Sequence, residues 1–239
     1  MALIVTLIVK NFEYYEPTDD VPKKLYCFWT GNNPMSEKRK TCLKNLEKTG
    51  MEVILVTSEN LPQYLVEPLH RCYKYLSETH KADYLRTYFM HFHGGAYCDI
   101  KTPTKDWIAA YNELLKDKTK YANGTKEIGG GVPDIHGDLA LNEILQREFD
   151  KLISLGGFIF RKNTPYTQEW YKNLMIKMDQ IADKLEKYPS TCPQQTYSDG
   201  YPYPLRWAEL LGEIFHPVCY KYKDRILQTV PPLIYTDYR

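Results

Sequence analysis

The chain has 239 residues, enough for one large α/β domain or two small ones. Hydrophobic residues at 43% and charged residues at 26% exclude a disordered segment and permit a sizeable core. The formal net charge is +1, with no basic run or aromatic-basic repeat, so nucleic acid is excluded as the expected partner.

Residues 1–9 are almost wholly apolar, but a membrane span needs roughly 20 such residues. The run also lacks the basic start and small-residue cleavage site of a signal peptide. A β-strand is the first reading, with a segment touching a membrane surface as the alternative. Residues 11–22 form a polar connector. Residues 24–30 (KLYCFWT) read as a buried strand closed by Gly31, Asn32, Asn33 and Pro34. Ser36 caps a helix running to about residue 48, and 51–57 (MEVILVT) is a second strand. Strand, helix and strand in so short a span make a βαβ unit and hence a parallel sheet, whose ligands bind beyond the carboxyl ends of the strands.

The spacing predicts a helix over 80–93, with Leu85, Tyr88, Phe89 and Phe92 on one apolar stripe and Asp83 and Arg86 on the other side. Gly94 and Gly95 stop it, and 96–100 follows as a strand. Further expectations are a helix over 106–115, a glycine-rich loop over 125–133, a helix over 139–149 and a strand over 155–160. A long amphipathic helix is expected over 167–187, with Trp170, Leu174, Met178, Ile181 and Leu185 inward. Residues 188–205, rich in proline and tyrosine, form a loop, and 205–215 a last helix.

Six cysteines (Cys27, Cys42, Cys72, Cys98, Cys192 and Cys219) form no CxxC pair, which argues against a structural zinc site. Several sit in apolar runs, as buried free thiols do, and this points to a reducing, cytoplasmic setting. Twenty-one tyrosines suit sugar and base contacts, though most read as half-buried packing residues.

The stretch 80–101 (HKADYLRTYFMHFHGGAYCDIK) concentrates chemistry. A helix bearing Asp83 and Arg86, a Gly-Gly turn and a strand ending in Asp99 gather three charged groups where a parallel sheet opens its cleft. An arginine fork binds phosphate or sugar hydroxyls, and a carboxylate accepts sugar hydroxyls or holds Mg²⁺ or Mn²⁺ against a diphosphate. Taken alone, Asp83 and Arg86 are also what an exposed helix pair looks like, and Asp99 what a turn residue looks like.

The combined spacing resembles a pattern of glycosyltransferases: S/H-x-x-D-x-x-R, an apolar stretch, then GG-x-Y-x-D-x-D. His80, Asp83, Arg86, Gly94, Gly95, Tyr97 and Asp99 supply it, and Phe28-Trp29-Thr30-Gly31 resembles the first strand. The pattern is shared by yeast-type α-mannosyltransferases, the sugar-transfer domains of large clostridial toxins and, most similar here, capsular polysaccharide synthesis proteins. The resemblance implies a GT-A-like, Rossmann-like nucleotide-diphospho-sugar transferase fold: a central, mostly parallel sheet flanked by helices. It implies one domain, 1–239, with a donor half at 22–110 and an acceptor-side half at 125–239.

It further implies transfer of a hexose from a nucleotide-sugar donor, UDP-linked rather than GDP-linked, to a glycan, lipid-linked or protein acceptor with retention of configuration. Asp83, Arg86 and Asp99 would be the catalytic set. Phe28, Trp29, Thr30, Gly31, Thr57, Tyr97 and Lys101 would join them in binding the donor, with Trp29 stacked on the base. The protein would work in the cytoplasm, peripherally at a membrane and without a transmembrane segment.

One position departs from the pattern. Lys101 stands where the second acid of the DxD motif would be, on the same side of the strand as Asp99. Three readings stay open. Lys101 neutralises the diphosphate itself; or Asp99, with His216, still holds Mn²⁺ or Mg²⁺; or the protein binds a sugar nucleotide without catalysis. A nucleotidyltransferase is a poorer match, because TGNNPMSEKRK after Trp29 is not the glycine-rich basic loop that reaction needs.

Overall fold

The computed structural model describes residues 20–198, 200–236 and 238. The readings of 1–9 as a strand and of 11–19 as part of a connector lie outside them. β1 (Lys24–Trp29) leads into α1 (Glu37–Asn45), whose first turn is closed by the Ser36 hydroxyl accepting from the Arg39 amide at 3.2 Å. A 3₁₀ turn carries the chain to Gly50, and β2 (Glu52–Thr57) returns parallel to β1, pairing Lys24 with Glu52 through Trp29 with Thr57. The βαβ unit is therefore present as read.

α2 (Glu78–Phe92) starts two residues earlier than expected, because Ser77 rather than a later residue caps it. Gly94 and Gly95 then take φ of +67° and +83°, a left-handed turn that drops β3 (Gly95–Cys98) beside β1. β4 (Thr102–Pro103), α3 (Ile108–Lys116), β5 (Ala122–Lys126), α4 (Leu139–Arg147), β6 (Ile153–Phe160), α5 (Pro165–Lys187), α6 (Gly212–Lys221), β7 (Ile226–Leu227) and β8 (Leu233–Ile234) follow.

The main sheet has the order β2-β1-β3-β6-β5-β7. β2, β1 and β3 are mutually parallel, β6 is antiparallel to both its neighbours, and β7 runs parallel to β5. This is a mixed α/β fold with a central, mostly parallel sheet. Its two faces follow from the alternation of each strand. Tyr26, Phe28, Tyr97, Phe158 and Phe160 enter one core against α2, α5 and α6, while Leu25, Cys27, Ala96, Cys98 and Ile159 enter the other with Cys42, Trp107 and Leu114. The stripe Trp170, Leu174, Met178, Ile181 and Leu185 of α5 is buried as predicted. Five cysteines are buried free thiols and Cys192 is exposed.

Two stretches differ from the reading. β5 extends into the glycine-rich segment expected to be loop. Its sequence, ANGTK, has poor strand propensity, but tertiary contacts override it. Asn123 donates to the Ala110 carbonyl at 2.9 Å and accepts from the Thr229 amide at 2.9 Å. Gly124 leaves room for Ile153, whose Cβ would stand 2.6 Å from any added methyl. The last helix, expected over 205–215, runs instead from Gly212 to Lys221 through Pro217. Burial of Ile214, Phe215, Val218 and Cys219 outweighs the helix-breaking cost of the proline. Among the described residues no helix is long and apolar enough to cross a membrane.

Candidate active site

β1 and β3 end at the same edge of the sheet, and a cleft of about 250 Å³ opens there. Phe28, Trp29, Thr30, Gly31, Arg86, Tyr97, Asp99 and Lys101 all line it. Eight residues singled out from the sequence are thus brought together by strand ends and by the middle of α2.

The centre of the site is the Arg86 guanidinium. Nη2 lies 3.2 Å from Asp83 Oδ1, Nη1 lies 3.6 Å from Asp99 Oδ1, and Nη1 donates to the Leu155 carbonyl at 2.9 Å. The guanidinium also sits 4.6 Å above the Tyr97 ring. Only 11% of the side chain is exposed, and Nε is buried without a hydrogen-bond partner among the described residues. An exposed surface pair is therefore ruled out for Asp83 and Arg86. Asp83 itself is 3% exposed and does not line the cleft; it lies behind Arg86 and fixes it.

Asp99 is surrounded. Tyr97 donates its hydroxyl to Oδ1 at 2.7 Å, and Lys101 Nζ lies 2.7 Å from Oδ2. Burial works against its ionisation, but the charges of Arg86 and Lys101 and the bonds from Lys101 and Tyr97 prevail and hold the carboxyl below the usual range. Asp83 goes the other way. Burial pushes it up to about 7 against the opposing charge of Arg86, and the neighbouring Asp99 adds to the rise. Burial also raises the Tyr97 phenol well above its ordinary value, so it stays a hydrogen-bond donor.

Lys101 is packed among aromatic rings, 4.3 Å from the centre of Tyr235 and 5.0 Å from that of Tyr238. The antiparallel pairing of β4 with β8, Thr102 against Ile234 and Pro103 against Leu233, brings those rings there. Arg39 completes the cationic wall, donating to the Ile100 carbonyl at 2.8 Å and lying 4.8 Å over Tyr238. At the other wall, Glu78 accepts from the Thr30 hydroxyl at 3.0 Å and is paired with Lys81 at 2.7 Å. Trp29 gives its indole N–H to the Asn33 carbonyl at 2.9 Å, which leaves its ring face as its contribution to the cleft.

His80 of the sequence pattern is a structural residue. It is fully buried, Nε2 faces the Arg206 carbonyl at 3.0 Å, and Nδ1 faces the Tyr203 hydroxyl at 2.9 Å. Burial lowers its pKa to about 4, so the ring is neutral, with Nε2–H donating and Nδ1 accepting. It ties α2 to the segment that carries Trp207, which is 54% exposed and lines the cleft with Pro193 and Gln194.

Thr57 pairs with Trp29 at the strand end but does not line the cleft; its amide donates to Asn60 Oδ1 at 2.8 Å. His216 stands apart, fully buried on α6 with Nε2 3.2 Å from Glu127 Oε2, and does not line the cleft with Asp99. Of the other acids of the second half, Asp138 caps α4 and Glu209 pairs with Lys177 at 3.1 Å. Arg39, Glu78, Trp207 and Tyr238 are lining residues that sequence reasoning missed. No short motif joins them to the 80–101 stretch, and only the fold brings them to it.

The donor set does not fit the Mn²⁺ or Mg²⁺ that the sequence resemblance implies. Such ions take several oxygen ligands. Asp99 already carries the Lys101 ammonium at 2.7 Å, Glu78 is occupied by Thr30 and Lys81, and among the described residues no three His, Cys, Asp or Glu side chains are grouped to hold an ion.

Residues 7–120 match the model of the family "Capsular polysaccharide synthesis protein", a span that includes β1, α2, β3 and the cleft residues from Phe28 to Lys101. The solved structure of PaToxG glycosyltransferase is similar to this chain with a TM-score of 0.46 and 13% sequence identity, covering 84% of this chain and 69% of that one. No curated protein matches the chain.

Proposed function

We propose that the protein is a glycosyltransferase of GT-A type that moves a hexose from a nucleotide-diphosphate sugar, UDP-linked rather than GDP-linked, to a glycan, glycolipid or protein acceptor with retention of configuration. One observation carries the reading. A cleft at parallel strand ends joins a half-buried tryptophan to a buried arginine held between two carboxylates, within a span that matches a capsular polysaccharide synthesis family. Trp29 offers the base a flat apolar face, and Arg39, Arg86 and Lys101 offer the diphosphate positive charge.

In the proposed reaction an acceptor hydroxyl oxygen forms a bond to the anomeric carbon. The bond from that carbon to the β-phosphate oxygen breaks, and its electron pair leaves with the nucleoside diphosphate. The hydroxyl proton passes to the departing phosphate on the same face. Negative charge grows on the leaving group as the bond breaks, so a fixed cation is worth more in the transition state than in the ground state. Arg86 is such a cation: Asp83, Asp99, Tyr97 and the Leu155 carbonyl fix its plane before substrate arrives. Asp99, held ionised, is the acceptor for sugar or ribose hydroxyls. Trp207, held out on an anchored segment, offers the acceptor a stacking face.

The test is release of nucleoside diphosphate from UDP-glucose, UDP-galactose, UDP-N-acetylglucosamine and GDP-mannose, with and without sugar acceptors. Turnover by one donor is expected to fall about 10²-fold or more in both Arg86→Lys and Asp99→Asn. Wild-type turnover in both variants would contradict the reading. The tight Lys101–Asp99 pair at 2.7 Å favours a second reading, a sugar-nucleotide-binding protein without catalysis. Saturable donor binding with no release under any condition is its signature.

A further inference from the structure

We infer that this site binds the diphosphate of its donor without a divalent cation, with Lys101 in the place of the ion. The inference rests on the donor-site reading above and goes beyond it, because it sets the charge balance of the site.

The geometry argues as follows. Three cations (Arg39, Arg86 and Lys101) and two carboxylates (Asp99 and Glu78) line the cleft, and Glu78 is neutralised by Lys81 at 2.7 Å. A divalent ion entering this set would meet a surplus of positive charge, whereas a nucleoside diphosphate would meet its complement. Lys101 Nζ is not a solvated surface charge. It is 2.7 Å from Asp99 Oδ2, its side chain is 11% exposed, and the rings of Tyr235 and Tyr238 cover it. The pairing positions an ammonium at the strand end, and its remaining N–H donors are available to phosphate oxygens. A metal at Asp99 Oδ2 would stand against the Lys101 ammonium, and one at Oδ1 would compete with the hydrogen bond from Tyr97. Asp99 thus orients a cation that belongs to the chain itself.

The experiment is a calorimetric titration of the full chain with UDP, and in parallel GDP, in buffer with excess chelator and again with Mn²⁺. Wild type and Lys101→Asp, which restores the second acid, are compared, and melting curves establish that both are folded. Wild type is expected to bind one nucleotide with affinities that agree within about threefold in the two buffers. Lys101→Asp is expected to lose about tenfold or more in chelator and to regain it with Mn²⁺, since two acids spaced as in DxD form a site for the ion. Binding by wild type only with Mn²⁺ overturns the inference and leaves the donor-site reading standing. Equal binding by both proteins in chelator overturns the role of Lys101. No binding of either nucleotide by folded wild type in either buffer overturns the donor-site reading along with it.

Discussion

Asp83 and Asp99 share one guanidinium, yet their carboxyl groups are pushed in opposite directions. Asp99 has a second cation and a phenol for company and stays ionised; Asp83 has burial and Asp99 against it. The consequences for stability have opposite signs. The lowered pKa of Asp99 contributes stability that is present above the unfolded value near 3.8 and is lost as pH falls through its folded value. The raised pKa of Asp83 contributes stability that is present below the unfolded value and is lost as pH rises from near 3.8 to about 7. Asp83→Asn removes that second dependence. Relative to wild type, the variant should therefore gain on the order of 2 kcal/mol between pH 5 and pH 8, at about 1.4 kcal/mol per pH unit. Urea unfolding at the two pH values measures this directly. An equal loss at both would show that Asp83 is ionised throughout.

The element that sets the site is the turn from α2 into β3. Gly95 holds φ of +83°, and an added Cβ would stand 2.8 Å from the Lys24 carbonyl oxygen and 3.1 Å from that of Pro22. Gly95→Ala combines a backbone clash with a strained dihedral and should cost about 2 kcal/mol or more. Because β3 delivers Asp99, donor affinity should fall with it; denaturant midpoints and a donor titration check both. A variant as stable and as tight-binding as wild type would mean that the turn does not position the site.

This turn was readable from the sequence, as were the βαβ unit and the buried stripe of α5, because periodicity and glycine placement act locally. β5 was not readable. ANGTK looks like loop, and only Asn123 bonding to Ala110 and Thr229, and Gly124 fitting against Ile153, make it a strand. The cleft was legible to the same degree. Trp29, Arg86, Asp99 and Lys101 fall in two short stretches that one parallel sheet brings together. Arg39, Glu78, Trp207 and Tyr238 reach the same cleft from separate segments, and no spacing rule joins them. Asp83 and Thr57 were read as touching the donor; the first lies behind Arg86, and the second faces Asn60 at the neighbouring strand end.

On the scale of the molecule, an aromatic-rich core on one face of the sheet and a mostly aliphatic core on the other hold the strands, and two contacts tie the second half of the chain to the first. His80, bonded to Tyr203 and Arg206, and β8, paired with β4, are the two clasps. The result is a cleft lined by a tryptophan from each half of the chain, Trp29 and Trp207, and by Arg39, Arg86 and Lys101. In the proposed function this cleft would seat a planar base, a diphosphate and a sugar. The most direct measurement is a calorimetric titration of wild type and Trp29→Ala with UDP-glucose, UDP-galactose, UDP-N-acetylglucosamine and GDP-mannose. The account predicts that wild type binds at least one donor, and that Trp29→Ala, still folded, loses the roughly 1–3 kcal/mol that stacking on a base contributes. Folded wild-type protein that gives no heat with any of the four would contradict it.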